Sequence, residues 1–216
     1  MGRPRGTRNA RFLATRKRLV TKLARRLAEP GGASASMRQL AATSGVSVST
    51  LQHYFGDRAG VVTAVLESAH RAGQSYLDEV ACGFLPPLRA SLSWFVDYIV
   101  AGLVEGKVGE LHELGLAAGF RDDKLGPAYL NHILEPTLQA LEARLARHLA
   151  AGDLRPCDLR VAAIHLLAPL LVAVLHQYSL GGQQCRPLPM RSFIDHHIDM
   201  FLRAYEEPRV VPAKRR

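Results

Sequence analysis

The chain has 216 residues, of which 48% are hydrophobic and 22% charged, and this composition excludes a disordered chain and favours a folded protein with a sizeable core. The three cysteines, Cys82, Cys157 and Cys185, lie far apart without a CxxC pair, so neither a disulfide framework nor a zinc site of the usual spacing is indicated and a cytoplasmic location is expected. The net charge of +9 favours an acidic partner.

The positive charge is concentrated near the N-terminus. Residues 1–60 hold 12 Lys or Arg and two acids, whereas residues 61–216 hold 16 basic and 17 acidic residues. A concentrated basic segment is the electrostatic signature of a polyanion binder. The alternative is a solvated, solubilising surface, and the charge alone leaves both open.

The apolar periodicity and the helix-breaking residues predict an all-α fold with about nine helices and no strands. In chain order the helices are expected over residues 12–29, 37–43, 48–54, 58–81, 88–105, 109–118, 128–150, 157–180 and 188–205. The longest apolar run, residues 161–175, is interrupted by His165 and Pro169 and is too short for a bilayer, so we expect no membrane association.

The second and third predicted helices form a helix-turn-helix pair. Ser36 and Ser47 are good N-caps, and Gly45 provides the tight turn between the helices. The third helix divides into a packing side, with Leu51 and Phe55, and an outward side. The outward side holds Val48, Ser49, Gln52 and His53, with Thr50 and Tyr54 at its flanks.

A helix that enters the major groove of DNA needs this division. Gln52 could pair with adenine and Val48 could touch a thymine methyl group, whereas Thr, Tyr, His and Arg side chains donate to phosphates. The alternative is a three-helix bundle with polar surface residues.

The run SMRQLAATSGVSVSTLQHYFGDRAGVVTAVLE, residues 36–67, resembles the DNA-binding region of the tetracycline-repressor (TetR) family, and TRKRLVTKLARRLAE before it fits that family's first helix. The matching positions are Gly45-Val46-Ser47, Thr50-Leu51, His53-Tyr54-Phe55 and Arg58. Val48 stands where Lys is common in the family and Gln52 where Tyr is common, so the operator sequence is not implied. The match covers about residues 10–67.

The resemblance implies a set of DNA contacts. Ser36 would cap its helix near a phosphate, and Arg38 would reach a base or a phosphate. Val48, Ser49 and Gln52 would face bases, and the phosphate contacts would be Thr50, His53, Tyr54 and Arg58. Arg3 and Arg5, in the expected flexible arm, would reach a minor groove unless the arm only increases solubility.

The resemblance also implies that the C-terminal helices form a homodimer and enclose a small-molecule effector. The apolar segment from residue 162 to 175 and the last helix independently favour a four-helix interface, with burial inside one subunit as the alternative. The expected interface residues are Ile164, Leu167, Leu171, Leu175, Phe193, Ile194, Ile198 and Phe201. The expected pocket residues, which could equally be plain core, are Trp94, Phe95, Tyr98, Leu103, His112, Leu116, Phe120, Tyr129, Ile133 and His165.

Two rival classes are weighed against this interpretation. We find no GxSxG, HExxH, Walker or GxGxxG motif, so neither an enzyme nor a cofactor is expected. Asp195, His196, His197 and Asp199 could hold a metal, but we interpret them as surface residues and expect no metal site. A non-specific architectural protein would bind all double-stranded DNA alike, with a steep salt dependence.

The sequence therefore predicts a ligand-responsive repressor that an apolar or amphipathic effector releases from an inverted-repeat operator. The alternative is a ligand- or metal-activated regulator. The expected parts are a basic arm (1–9), a helix-turn-helix DNA-binding domain (10–56), a helical ligand-binding and dimerisation domain (57–205) and a basic tail (206–216).

Overall fold

The computed structural model describes residues 5–29, 31–106 and 108–208, and over these residues the all-α prediction is confirmed. The helices are α1 (Arg5–Ala28), α2 (Met37–Ser44), α3 (Val48–Phe55), α4 (Arg58–Cys82), α5 (Leu88–Val104), α6 (Val108–Gly119), α7 (Leu125–Tyr129), α8 (Glu135–Ala150), α9 (Leu159–Val174), α10 (Gly182–Cys185) and α11 (Met190–Tyr205). One turn of 3-10 helix, Gly32–Ser34, precedes α2, and π-helical turns occupy Leu130–Leu134 and Leu175–Ser179.

Two helix boundaries differ from the predicted ones by more than two residues, and the short helix α10 was not predicted. Helix α1 begins at Arg5, so residues 5–9, expected in the flexible arm, are helical, and residues 1–4 lie outside the described part. The helix expected from residue 128 begins at Leu125 instead, because Pro127 falls in the first turn, where no backbone N–H is needed. The π-helical turn Leu130–Leu134 then joins α7 to α8.

The chain packs as two compact units. Unit 1 extends to Gly73 and also contains Glu110–Glu135, whereas unit 2 contains Gln74–Gly109 and the chain from Pro136 onward. This division differs from the predicted boundary after residue 56, because side chains of α6 and α7 enter the same hydrophobic cluster as those of α1, α3 and α4. Packing units need not coincide with functional domains, so the predicted domain limits stay a prediction.

The core of unit 1 fixes the predicted helix-turn-helix pair. Leu23 of α1, Leu40 of α2, Leu51 of α3 and Leu66 of α4 are all fully buried. Tyr129 of α7 is buried in the same cluster. Burying each leucine contributes about 2 kcal/mol, so the two short helices depend on tertiary packing rather than on helix propensity.

In unit 2, α9 and α11 pack on each other and on α5, and a buried polar network crosses the packing. Arg144 of α8 donates to the Ser91 hydroxyl (2.7 Å) and to the carbonyl oxygens of Val80 (3.0 Å) and Phe84 (3.3 Å). Arg147 donates to the carbonyl of Gly83 (2.8 Å). The two arginines thereby satisfy carbonyls at the C-terminal end of α4, where a positive charge is favoured.

One helical stretch, Leu159–Ser179, is by length and composition alone long and apolar enough to cross a membrane. The test counts helix length and average hydropathy and not an unbroken apolar run, so the helix passes it although the run 161–175 is shorter. A central helix of a soluble protein passes the same test, and Ala162, Leu166 and Leu170 of this stretch are fully buried in the protein.

Gly115 in α6 is required by the position of the Tyr129 ring. A Cβ atom at Gly115 would lie 2.2 Å from Cδ2 of Tyr129. We expect Gly115→Ala to lower the free energy of unfolding by about 1–3 kcal/mol, because the buried ring has to move. Thermal unfolding followed by circular dichroism measures the change.

The matched control is Gly73→Ala in α4, where an added Cβ meets nothing within 4 Å. This change should leave stability equal or raise it by up to about 1 kcal/mol, since alanine is the better helix former. Equal melting temperatures for the two variants would contradict the packing described for Tyr129.

Candidate nucleic-acid interface

Serine side chains fix the starts of α2 and α3. Ser36 and Gln39 form a capping box, in which the Ser36 N–H donates to Oε1 of Gln39 (2.8 Å) and the Gln39 N–H donates to Oγ of Ser36 (3.4 Å). Oγ of Ser47 accepts from the N–H of Thr50 (3.1 Å). Gly45 between the helices has φ of 71°, a left-handed conformation that favours glycine. The predicted caps and turn are therefore confirmed.

Two basic side chains tie this pair of helices to the rest of unit 1. Nζ of Lys22 donates to the carbonyl of Ser44 at the C-terminal end of α2 (3.1 Å). Arg58 is half-buried and donates through Nε to the carbonyl of Ala35 (3.0 Å) and through Nη2 to that of Ala33. Arg58, predicted to hold a phosphate, therefore positions the chain just before α2, and a phosphate contact would have to use Nη1 or the second N–H of Nη2.

The outward side of α3 is close to the predicted one. Ser49, Gln52 and His53 are exposed, whereas Val48 is half-buried and packs against the core. Thr50 is also half-buried, with Oγ1 2.8 Å from Oγ of Ser47. Three of the side chains assigned to DNA are thus presented to solvent by a helix whose opposite side is buried. Val48 is turned inward because its isopropyl group completes the core.

Phe12 of α1 holds the aromatic end of α3, and the sequence reasoning gave it no role in the site. Its ring stacks on Tyr54 with centroids 4.6 Å apart and meets His53 edge-on at 5.8 Å. Phe12 lies one helical turn before Arg16, whose guanidinium lies over the Phe55 ring at 5.3 Å. This shared helical stripe is the signal that could have identified Phe12.

The electrostatic setting of this surface is positive. Between residues 10 and 55 the only acid is Glu29, which pairs with Arg26 at 3.4 Å. The exposed basic side chains of α1 and α2 in this range are Arg11, Lys17, Arg18, Lys22, Arg25 and Arg38. Arg3 and the side chain of Arg5 lie outside the described residues. The surface suits a polyanion.

An open pocket of about 400 Å³ lies beside α3 in unit 1 and was not predicted. Arg16 and Glu67 pair across it at 3.7 Å, and Lys124 and Asp57 pair at 3.8 Å. Tyr54 also lines it, so the pocket adjoins the candidate DNA surface.

The ten residues predicted to line an effector pocket divide between the two units. In unit 1, His112 and Tyr129 are buried and hydrogen-bonded to each other (2.7 Å), Ile133 and Leu116 belong to the core packing, and Phe120 is 85% exposed. In unit 2, Phe95 and Leu103 are buried, Trp94 and Tyr98 are stacked and partly exposed, and His165 shares a hydrogen bond with Tyr205 (2.6 Å). Helical spacing alone could not separate core from lining residues.

The residues predicted for the dimer interface differ in their burial within the single chain. Leu167, Ile194, Ile198 and Phe201 are buried within unit 2, because α9, α11 and α5 pack on one another in a single chain. Leu171, Leu175 and Phe193 are half-buried, and Ile164 is exposed. Other exposed apolar side chains lie on the same helices: Val161 and Val172 on α9 and Met200 on α11.

The cluster of Asp195, His196, His197 and Asp199 on α11 is bound by other groups of the same chain. Asp195 pairs with Arg191 (2.9 Å), and Asp199 pairs with Arg89 (2.7 Å), whose hydrogen bond lowers the pKa of Asp199. Within the described residues, no group of three or more His, Cys, Asp or Glu side chains is arranged to hold a metal ion.

A Ser–His–Asp chain of hydrogen bonds lies in unit 2. Nε2 of His148 is 2.8 Å from Oγ of Ser91, and Nδ1 is 2.8 Å from Oδ2 of Asp153. Because the Asp153 carboxylate can only accept, Nδ1–H of His148 donates to it, and in a neutral imidazole Nε2 then accepts from the Ser91 hydroxyl. Ser91 and His148 are fully buried, so this chain extends the network that holds α4 and does not face a substrate.

Burial of His112 predicts an acid-sensitive stability. Burial lowers the pKa of His112 from 6.5 to about 4, so between these values the unfolded chain binds a proton that the folded protein does not. Above pH 6.5 the histidine therefore causes no loss of stability. As the pH falls toward 4 it lowers the free energy of unfolding, by on the order of 2 kcal/mol at pH 5. We expect the melting temperature of His112→Gln to fall less between pH 7 and 5 than that of the wild type.

The matched control is His53→Gln, at an exposed histidine, which should keep the acid sensitivity of the wild type. If His112→Gln loses as much stability at pH 5 as the wild type does, the buried neutral histidine is not the cause.

Two family models match the chain. Residues 20–65 match the model of bacterial regulatory proteins of the tetR family, and residues 90–207 match the C-terminal domain of AefR-like transcriptional repressors. The first match contains α2 and α3, and the second covers more than half of the chain. No curated protein matches the chain.

Solved structures show the same fold. A tetR-family transcriptional regulator from Mesorhizobium loti is 19% identical, with a TM-score of 0.74, and the match covers 91% of this chain and 99% of that one. SmeT, the repressor of the Stenotrophomonas maltophilia multidrug efflux pump SmeDEF, is 19% identical (TM-score 0.65; 90% and 92% covered). FadR from Bacillus subtilis, solved with stearoyl-CoA, is 15% identical (TM-score 0.64; 86% and 96% covered).

The helix-turn-helix pair and the C-terminal helices thus each match a model of the same kind of regulator. This chain belongs to the tetR family of bacterial regulatory proteins and is a transcriptional repressor of that family.

Proposed function

We propose that this repressor acts in the cytoplasm and reads an inverted-repeat operator with α3, one helix from each subunit of a homodimer. The observation that carries the proposal is the presentation of Ser49, Gln52 and His53 to solvent by a helix whose other side, Leu51 and Phe55, is buried. Side chains held in this way keep a fixed register in a major groove.

The contacts divide into base readout and phosphate contacts. Gln52, the longest exposed side chain on α3, suits a bidentate pair with adenine, and Ser49 lies one turn before it. Thr50, His53 and Tyr54 suit phosphates, as does Arg38 near the capped start of α2. Phe12 fixes the orientation of His53 and Tyr54 through ring contacts and acts as a positioning residue.

The exposed apolar side chains of α9 support the homodimer. Val161, Ile164 and Val172 lie on this helix and remain exposed after α9 has packed in its own unit. A second copy related by a two-fold axis would cover them and would also supply the second α3 that an inverted repeat requires.

An effector would act through the packing of unit 1. Side chains of α6 and α7, among them Leu114 and Tyr129, share one hydrophobic cluster with α1, α3 and α4. A ligand that binds one arrangement of α6 and α7 more tightly than another would therefore shift the DNA-binding helices by that difference in affinity. An apolar or amphipathic ligand is consistent with the stearoyl-CoA bound to FadR.

Replacing Gln52 by Ala should relax the preference at one base pair of each half-site by about tenfold or more, because a bidentate contact is lost. The change is measured as affinities for single-base operator variants. An unchanged preference at every position would remove Gln52 from base readout.

Replacing Tyr54 by Phe should have the opposite signature. The Phe12 stack is kept and only the hydroxyl is lost, so all DNA sequences should be bound a few-fold more weakly with the preferences intact. A change in preference without a general loss would contradict a phosphate contact.

Replacing Val172, which is 64% exposed on α9, by Glu should dissociate the homodimer, because charges would then be buried in the interface. The control is Leu180→Glu, a 77% exposed apolar position beyond the π-helical turn. Sedimentation equilibrium at micromolar concentration reports the mass. A dimeric Val172→Glu variant would place the interface elsewhere.

A further inference from the structure

Three aromatic side chains form a partly exposed shelf in unit 2. The rings of Trp94 and Tyr98 on α5 are stacked, with centroids 5.6 Å apart and planes at 18°, and Tyr76 on α4 lies 5.4 Å from Tyr98. Tyr76 is 56% exposed and Trp94 38% exposed. Single exposed aromatic rings are ordinary, but three in contact form a surface on which another ring can stack.

Arg144 holds the shelf in place from its inner side. Its guanidinium lies 4.8 Å from the centre of the Trp94 ring, and its donors are engaged by Ser91, Val80 and Phe84. The indole is therefore fixed before a ligand arrives, which lowers the entropic cost of binding.

The charge behind the shelf selects among ligands. The three hydrogen-bond partners of Arg144 are a hydroxyl and two carbonyls, so none of them neutralises its positive charge. The carboxylate of Glu79 attracts the Arg144 charge, but Glu79 is exposed and water screens this attraction. Asp97, next to Tyr98, pairs with Arg191 at 3.2 Å. A cation close to the indole would be repelled by the buried guanidinium, whereas an anion would be attracted.

The phenols add hydrogen-bond donors at the edge of the shelf. Burial and the neighbouring Tyr76 raise the pKa of Tyr98 to about 12, so its hydroxyl keeps its proton at neutral pH. A neutral phenol donates readily to a carboxylate oxygen.

We propose that Tyr76, Trp94 and Tyr98 form a stacking site for a planar aromatic carboxylate. The inference names a chemical class for the effector and so rests on the proposed effector response. An aromatic ring would pack against the exposed surface of these three rings, and its carboxylate would accept from a tyrosine hydroxyl.

Trp94 is the only tryptophan of the chain, so its fluorescence reports on this site in the full-length protein. The probe is 4-nitrobenzoate, a planar carboxylate that quenches indole on contact, with free N-acetyltryptophanamide as the reference for collisional quenching. Cyclohexanecarboxylate and benzyltrimethylammonium test the need for the ring and for the negative charge, each as a competitor of 4-nitrobenzoate. We expect saturable quenching by 4-nitrobenzoate and weak competition by the other two.

Two variants locate the binding. Tyr98→Leu removes a stacked ring and should weaken 4-nitrobenzoate binding about fivefold. Tyr76→Leu changes a more exposed ring, so it tests the same shelf with little risk to folding. The control Tyr178→Leu, at a 46% exposed tyrosine on the π-helical turn after α9, should leave the affinity unchanged.

Quenching that never saturates and follows the free indole would overturn the proposal. So would unchanged affinity in both shelf variants, or a benzyltrimethylammonium affinity equal to that of the carboxylate. DNA binding by the same preparation separates the two levels. Sequence-specific binding without saturable quenching overturns only the ligand class, whereas loss of sequence specificity with quenching intact overturns the proposed operator reading.

Discussion

The position of α3 depends on the burial of Leu51 and Phe55 in the core of unit 1. An isolated helix of eight residues would not be stable in water, so its register and direction come from this packing and from the Ser47 cap. Side chains of α6 and α7 belong to the same core. The orientation of α3 therefore depends on how α6 and α7 pack. A shift of α6 or α7 would therefore change the packing of α3.

In unit 2 a network of buried hydrogen bonds, rather than apolar packing alone, fixes the end of α4. Arg144 and Arg147 satisfy the last carbonyls of α4, and Ser91, His148 and Asp153 extend that network of hydrogen bonds. Breaking one of these buried hydrogen bonds would leave a polar group without a partner, which is unfavourable. The network therefore holds the end of α4 in one arrangement. The same arginine fixes Trp94, which links the support of α4 to the aromatic shelf.

Local signals in the sequence determined what could be predicted. Ser36 and Ser47 predict the helix starts because serine caps helices, and Gly45 predicts the turn because glycine adopts left-handed conformations. The family motif from residue 45 to 58 predicts the position of α3. Arg58 and Phe12 show the limit, because their partners, Ala35 and Tyr54, are distant in sequence. Periodicity could not decide whether Ile198 and Phe201 pack within one chain or against a second copy, since both cases give the same apolar stripe. The structure buries both side chains within unit 2.

In the proposed function, sequence-specific recognition of DNA depends on two copies of α3 acting together. Selection of bound sequences from random duplex DNA, at near-physiological salt, tests it most directly. We expect enrichment of an inverted repeat whose half-sites are about one helical turn apart. Recovery of unenriched DNA, with binding that only declines smoothly as salt rises, would contradict it and would indicate non-specific attraction to phosphates.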